Sequence, residues 1–433
     1  MLETQPTIGD TAWFQHDRFG MFIHWGIYAA GARYEWLQTN EKIPTDKYAR
    51  FFDHFDPDLY DPKAWARAAR EAGMKYFVIT TKHHDGFCLW NSQFTEFKAP
   101  NSPAQKDLLT PMIEAFRAEG IRVGFYYSLI DWNHPHFPID NIHPLRDNPD
   151  AVEMNKSRDV SIYAEYMRNQ VRELLTQFGD IDILWFDFSY PAGDANYPQF
   201  KGKGHEDWES EKLMTMIREL APTAIVNNRL DLANVAADVT TPEQYQPRGW
   251  VKVNGKPVVW EACQTFSGSW GYHRDETTWK SPEQLLRMLI DTVSKGGNLL
   301  MNVGPTARGV FDSRALDALK VYEEWMKWNA RSIYGCTQSE FQAPTDLRYT
   351  FNPKTNRLYV HLFAYPFRHL YLPDLNDKVE YAQFLHDASE IQLELHDWTA
   401  LQVKEESKDA VLILEVPVIK PNITVPVIEL FLK

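Results

Sequence analysis

Short apolar runs, rich in β-branched and aromatic residues, recur along the first three quarters of the chain. Each gives way to polar residues and then to a stretch with helical spacing. Alternation of that kind predicts a parallel α/β architecture. Eight runs read as strands: GMFIHWG (20–26), KYFVITTKH (75–83), RVGFYYSL (122–129), IDILWFD (181–187), TAIVNNR (223–229), a weak ADVTTPE (237–243), VVWEACQ (258–264) and NLLMNVG (298–304). The stretches between them carry helix punctuation. Asp61-Pro62 opens a helix through Trp65, Ala68 and Ala69 that Gly73 ends. The stretch 106–119 closes at Gly120 and 159–178 at Gly179, while Ser281 with Glu283 starts a helix that stops at Gly296 and Gly297. Eight such units over about residues 10–335 predict a (β/α)8 TIM-like barrel.

Beyond about residue 340 the helical component disappears. RLYVHLFAY, EIQLELHD, AVLILEV and ITVPVIELFLK are strand-like runs separated by turn residues, as in a small antiparallel β-sandwich. The expected organisation is a barrel over 1–337 and a C-terminal β-sandwich domain over 338–433.

Composition narrows the partners. With 433 residues, 44% hydrophobic and 24% charged, the chain has the profile of a folded globular protein. A formal charge of −14 opposes a polyanion, so nucleic acid and anionic membrane surfaces are disfavoured. Three distant cysteines, Cys88, Cys263 and Cys336, argue against a disulfide framework. No basic leader followed by an apolar run opens the chain, and no run of about 18 apolar residues occurs, so a cytoplasmic location is expected. The sequon at Asn422 is then a chance match, and homo-oligomerisation is left open. The 15 Trp, 20 Tyr and 25 Phe lean toward carbohydrate, whose C–H faces suit flat apolar platforms.

In a barrel of this kind, chemistry collects at the C-terminal strand ends. Those ends read His24-Trp25-Gly26, His83-His84-Asp85-Gly86, Tyr126-Tyr127-Ser128, Trp185-Phe186-Asp187, Asn227-Asn228-Arg229, Glu243 and Trp260-Glu261. Asp187 ends a very apolar run, where a carboxylate is costly unless paired or functional. A helix cap is its structural alternative; the functional reading is a nucleophile kept ionised by Arg229 or a histidine. Glycoside hydrolysis needs a second carboxyl group to protonate the leaving oxygen, and Glu35, Glu243 and Glu261 are candidates. Glu261 equally suits a structural hydrogen-bonding role, and Glu243, placed by the preceding proline at a loop start, equally suits a solvated surface position. The His83-His84 pair lacks the further ligands that a barrel-mounted metal requires, so no metal and no cofactor is expected.

Taken in order from about residue 12 to 335, the blocks RFGMFIHWG, Glu35-Trp36, TKHHDGF, GFYYS, LWFD, NNR, TPEQ, WEACQTFSGSWGY and SKGGNLLMNVGPTARG resemble the α-L-fucosidases of glycoside hydrolase family 29. The resemblance implies a catalytic barrel with a C-terminal β-sandwich, and retaining hydrolysis of terminal α-L-fucosides on fucosylated glycans. It implies Asp187 as nucleophile and Glu243 as acid/base, with Glu261 as runner-up. It further implies fucose contacts from His24, Glu35, Trp36, His83, His84, Tyr126, Trp185 and Arg229. Family members often carry glycine after the nucleophile, where Phe188 stands here, so the leaving-group side is expected to be narrowed.

Trp185 and Phe266 are candidates for an apolar wall beside the fucose methyl. Trp25, Trp36, Trp185 and Trp260 are expected at the sugar site, and Trp65, Trp325 and Trp328 in the core. Loops at about 132–150 and 190–210, with Trp132, His134, His136, Tyr190 and Tyr197, are expected on the leaving-group side. Two other readings stay open: a barrel glycosidase for another sugar, which a panel of nitrophenyl glycosides separates, and a catalytically silent carbohydrate-binding barrel. Joint retention of both carboxylates and Arg229 speaks against the silent barrel.

Overall fold

Seven parallel strands form one curled sheet, in the spatial order Ile225–Val226, Ile183–Asp187, Arg122–Ser128, Tyr76–Lys82, Phe19–Ile23, Asn298–Val303 and Glu261–Thr265. The structure, a computed structural model, describes residues 3–232, 237–394 and 411–433. The weak eighth run, 237–243, pairs only through isolated parallel bridges: Val239 with Asn227, Thr240 with Trp260 and Glu243 with Cys263. Those bridges span the gap between the two outer strands, so the sheet closes into a barrel. The Pro-Glu sequence shortens this stave, because Pro242 has no N–H to give the ladder.

Helix boundaries follow the local chemistry. The helix Pro62–Glu71 starts where the Asp61 carboxylate accepts from the N–H groups of Lys63 and Ala64. Asp159 caps Val160–Gln177, and Ser281 with Gln284 forms a capping box on Pro282–Ser294. These helices bury one face on the outside of the sheet.

The barrel lumen is apolar and aromatic, filled by Phe14, Phe22, Tyr76, Val78, Tyr126, Ile183, Trp185, Ile225, Val239, Val259, Cys263 and Leu300. Tyr76 lies flat over Gly20, where any Cβ would fall 2.3 Å from its ring. A glycine on the first strand therefore lets a large ring cross the lumen.

After the barrel come two antiparallel sheets. One joins Thr337–Gln338, Leu347–Asn352, Arg357–Leu362, Val427–Leu432 and Val379–Phe384; the other joins His369–Pro373, Val411–Glu415 and Gln392–Glu394. They share an apolar core of residues such as Leu347, Leu358, Leu372, Leu414 and Ile428. The expected run EIQLELHD enters the second sheet at Gln392, and its residues 395–397 lie outside the described residues. The strands at 347–352, 369–373 and 379–384 lie outside the expected runs: 347–352 (LRYTFN) carries its apolar residues, and 369–373 (HLYLP) its leucines, at every second position and not as a continuous run. Among the described residues no helix is long and apolar enough to cross a membrane, and the three cysteines are buried and unpaired.

Candidate active site

A cavity of about 350 Å³ opens at the C-terminal face of the barrel, lined by Phe22, His24, Trp36, His83, His84, Tyr126, Trp185, Asp187, Phe188, Glu243 and Trp270. Nine of the residues singled out from sequence thus line one space, although they come from six separate segments of the chain.

Asp187 is the last residue of its strand. Its Oδ2 accepts from the Tyr126 hydroxyl at 2.8 Å, and Oδ1 accepts from Nη1 of Arg229 at 3.2 Å. Burial pushes its carboxyl up to about 6 against the lowering pull of Arg229, and the charge of Glu243 adds to the rise. Arg229 also donates from Nη2 to Oε2 of Glu243 at 2.9 Å, and from Nε to the Thr241 hydroxyl at 3.0 Å. One guanidinium therefore bridges the two carboxyl groups. It lies 5.0 Å over the Trp185 ring, a cation–π contact that fixes its plane. Asp187 is nearly covered, whereas the Glu243 side chain is 41% exposed. One carboxyl thus faces the cavity floor and the other faces the solvent rim.

The histidines are neutral donors and acceptors. Ser128 donates to the Ile130 carbonyl at 2.8 Å, so Nδ1 of His84, 2.6 Å away, donates to Ser128. Nε2 of His84, left without a proton in that tautomer, lies 3.9 Å from Oδ2 of Asp187. Asn302 donates to the Trp270 carbonyl, so its Oδ1 accepts from Nδ1 of His24 at 2.7 Å. Burial holds His24 down to about 3, and lowers His83 and His84 well below the ordinary imidazole range. Among the described residues, Nδ1 of His83 is buried without a hydrogen-bond partner, a polar atom left for a ligand to satisfy. Neutral imidazoles around a carboxylate suit a polyhydroxylated ligand.

Three residues expected at the site do not line the cavity: Arg229 meets it through its bonds to Asp187 and Glu243, and Glu35 and Glu261 lie farther away. Glu35 is buried behind Gly271, whose N–H it accepts at 2.6 Å; burial, with Glu243 nearby, pushes it up to about 7. Glu261 is the first residue of its strand, not the last. Sequence reasoning took Trp260-Glu261 as a strand end, but pairing runs on to Thr265, which drops Glu261 to the lower part of the lumen. There its carboxyl accepts from the Tyr76 hydroxyl at 2.5 Å and from Trp185 Nε1 at 3.4 Å. Burial pushes it up to about 7.

Several aromatic expectations change as well. Trp25 packs among Phe55, Tyr60 and Trp65, and Trp260 lies buried against Gly297, so both are core. Trp65 and Trp325 are buried as expected, whereas Trp328 is half exposed. Phe266 lines a neighbouring cavity with Tyr272 and Trp279, not this one.

The loops at 132–150 and 190–210 do not reach the cavity lining. Trp132 packs behind Trp36 and His84, Tyr190 bonds Asp140, Tyr197 bonds Asp147, and His134 packs on Tyr166. Phe22 and Trp270 were missed as lining residues. An inward position on the first strand was the available signal for Phe22, and Trp270 comes from the loop after the 261–265 strand. Phe188 packs on Trp36, His84 and Tyr190 with φ of 85°, a left-handed conformation that is strained for a ring-bearing residue.

A family model described as alpha-L-fucosidase matches residues 5–331. The plasma alpha-L-fucosidase of Homo sapiens is 29% identical over 386 residues, which cover 82% of this chain and 76% of that protein. The alpha-L-fucosidase of Dictyostelium discoideum is 27% identical, covering 84% and 80% respectively. Among solved structures, alpha-L-fucosidase isoenzyme 1 from Paenibacillus thiaminolyticus superposes with a TM-score of 0.89 at 43% identity, over 98% of each chain. A GH29 alpha-L-fucosidase from Bacteroides thetaiotaomicron, trapped as a covalent intermediate, superposes with a TM-score of 0.82 at 27% identity, over 100% of this chain and 98% of that one.

Proposed function

The chain belongs to the alpha-L-fucosidase family, and on that premise we propose that it hydrolyses terminal α-L-fucosides with Asp187 as nucleophile and Glu243 as acid/base. The family's glycosidase activity and retaining chemistry come with membership; the residue roles rest on the cavity. The observation that carries them is the guanidinium of Arg229, bonded at once to Asp187 and to Glu243 at the same cavity. Such sharing keeps two carboxyl groups close, as direct attack requires; retaining pairs stand about 5–5.5 Å apart.

In the first step an Asp187 carboxylate oxygen bonds to the anomeric carbon as the bond to the leaving oxygen breaks, and Glu243 gives its proton to that oxygen. In the second step a water oxygen attacks the same carbon, its proton passes to Glu243, and the bond to Asp187 breaks. Two inversions return the starting anomeric configuration. Tyr126 and Arg229 stabilise the carboxylate that leaves in the second step. His24, His83 and His84 meet sugar hydroxyls, Trp36 and Trp185 supply flat apolar faces, and Glu35 supports the rim beside Glu243. Phe188 narrows the cavity on the side of Trp36 and His84.

Asp187→Gly tests the assignment. The variant should lose turnover of aryl fucosides, and added azide should yield the β-fucosyl azide, formed by a single inversion at the vacated face. Recovery of the α-azide, or wild-type turnover, overturns it. The division at 337/338 falls within the strand Thr337–Gln338, which already pairs antiparallel with Thr350 and Phe351; the switch from parallel to antiparallel pairing supports a boundary just before that strand, and limited proteolysis tests it. A cytoplasmic location is supported by three unpaired cysteines, and cell fractionation tests it.

A further inference from the structure

The barrel lumen holds one carboxyl group that the proposed chemistry does not use. Glu261 is 2% exposed, sits among aromatic and aliphatic side chains, and has no cation bonded to it among the described residues. Burying a carboxyl without a cation costs free energy that its hydrogen bonds only partly offset. Its bonds lead to the site. Oε1 accepts from the indole N–H of Trp185, whose ring lines the cavity, and Oε2 accepts from Tyr76. Below, Nδ2 of Asn298 donates to the Tyr76 oxygen at 3.4 Å, and Arg18 donates to Oδ1 of Asn298 at 3.4 Å. The sequence Arg18, Asn298, Tyr76, Glu261, Trp185 thus crosses the lumen from the lower end to the cavity floor.

Above Glu261, the Trp185 ring supports both groups that bond Asp187. Tyr126 stacks on it with centroids 5.7 Å apart at 19°, and Arg229 lies over it. Rotation of the indole would displace the hydroxyl and the guanidinium together.

We propose that Glu261 is a positioning residue for the hydrolytic reaction: it sets the orientation of the Trp185 indole, and through that ring the two donors on Asp187. It does not touch substrate and transfers no proton. The inference rests on Asp187 being the nucleophile.

The test uses Glu261→Gln, Glu261→Asp, Trp185→Phe and the combination of the last two, with a series of aryl fucosides of rising leaving-group basicity. Gln keeps an acceptor for the indole at the same reach, so Glu261→Gln should stay within about threefold of wild type in kcat/KM. Asp keeps the carboxyl group but falls one methylene short, so Glu261→Asp should lose about tenfold, the order of one unmade buried hydrogen bond. Trp185→Phe removes the N–H that Glu261 holds, so adding Glu261→Asp to it should cause little further loss. Multiplying losses, or a Glu261→Gln deficit that matches Glu261→Asp, overturn the proposal. A Glu261→Gln deficit that grows with leaving-group basicity also overturns it, by making Glu261 a proton donor. Failure of the catalytic assignment shows separately, as Asp187→Gly that keeps turnover or yields the α-fucosyl azide.

Discussion

Replacing Arg229 with Met should move the acid limb of the pH–rate profile upward. Asp187, the proposed nucleophile, would attack only when ionised, so kcat/KM for an activated aryl fucoside should fall as pH drops through its value of about 6 in the free enzyme. Arg229 opposes the rise that burial imposes. Its Nη1 lies 3.2 Å from Oδ1 of Asp187, with side chains 20% and 15% exposed. At an effective dielectric constant of about 20, charges at that range interact with roughly 5 kcal/mol before screening, and partial exposure lowers the figure. An opposite charge in contact typically lowers a carboxyl by about 1–3 units.

Losing Arg229 should therefore carry the limb from about 6 to about 7–9. At the wild-type midpoint, half of Asp187 is ionised; a two-unit shift leaves about 1% ionised, a loss of roughly fiftyfold at that pH from titration alone. Arg229→Lys keeps the charge and should hold the limb within about one unit. Activated leaving groups isolate the effect, because their departure does not need Glu243. A limb that stays near the wild-type position in Arg229→Met refutes the electrostatic coupling on which the assignment depends.

Glu243→Ala should slow aryl fucosides with basic leaving groups by about 10²–10⁴-fold and activated ones much less; equal losses would remove Glu243 from proton transfer. Asp187→Asn should stabilise the fold above neutrality. A folded-state value raised from 3.8 to about 6 means that ionisation opposes folding, so the penalty is absent below the unfolded value and grows as pH rises through the folded one. Urea unfolding should show the variant ahead by about 1–3 kcal/mol at pH 8 and level at pH 3.5; a constant gap excludes the linkage. Lys82 and Asp131 form a fully buried pair at 3.1 Å, and Asp131 in turn accepts from the N–H groups of Asn133 and His134. Lys82→Met leaves that charge unpaired and should lower stability by about 3–5 kcal/mol in urea melts, while Lys82→Met with Asp131→Asn should recover part of the loss.

Local signals located much of the barrel. The seven strands of the sheet were each legible as apolar runs, because parallel strands buried on both faces need such runs, and Asp61, Asp159 and Ser281 announced their helices through capping chemistry. The antiparallel strands at 347–352, 369–373 and 379–384 escape a reading guided by continuous apolar runs, because LRYTFN places its apolar residues, and HLYLP its leucines, only at alternate positions. At the site, Asp187 was visible from the contrast between its charge and the run it ends. Glu261 was misplaced because a strand's pairing limit depends on its neighbours: 298–302 carries the 261 strand as far as Thr265.

By itself, then, the sequence determined the layer order, the ring of polar residues at the strand ends and the family. Those follow from local spacing and side-chain chemistry. Tertiary structure decided which tryptophans line the cavity, as Trp36 and Trp185 do, and which fill core, as Trp25 and Trp260 do. It also decided that Arg229 joins Asp187 to Glu243, and that Glu261 works from beneath the floor. Those are outcomes of barrel closure and strand stagger, which bring residues from distant segments to one depth, and no window of local sequence contains that depth.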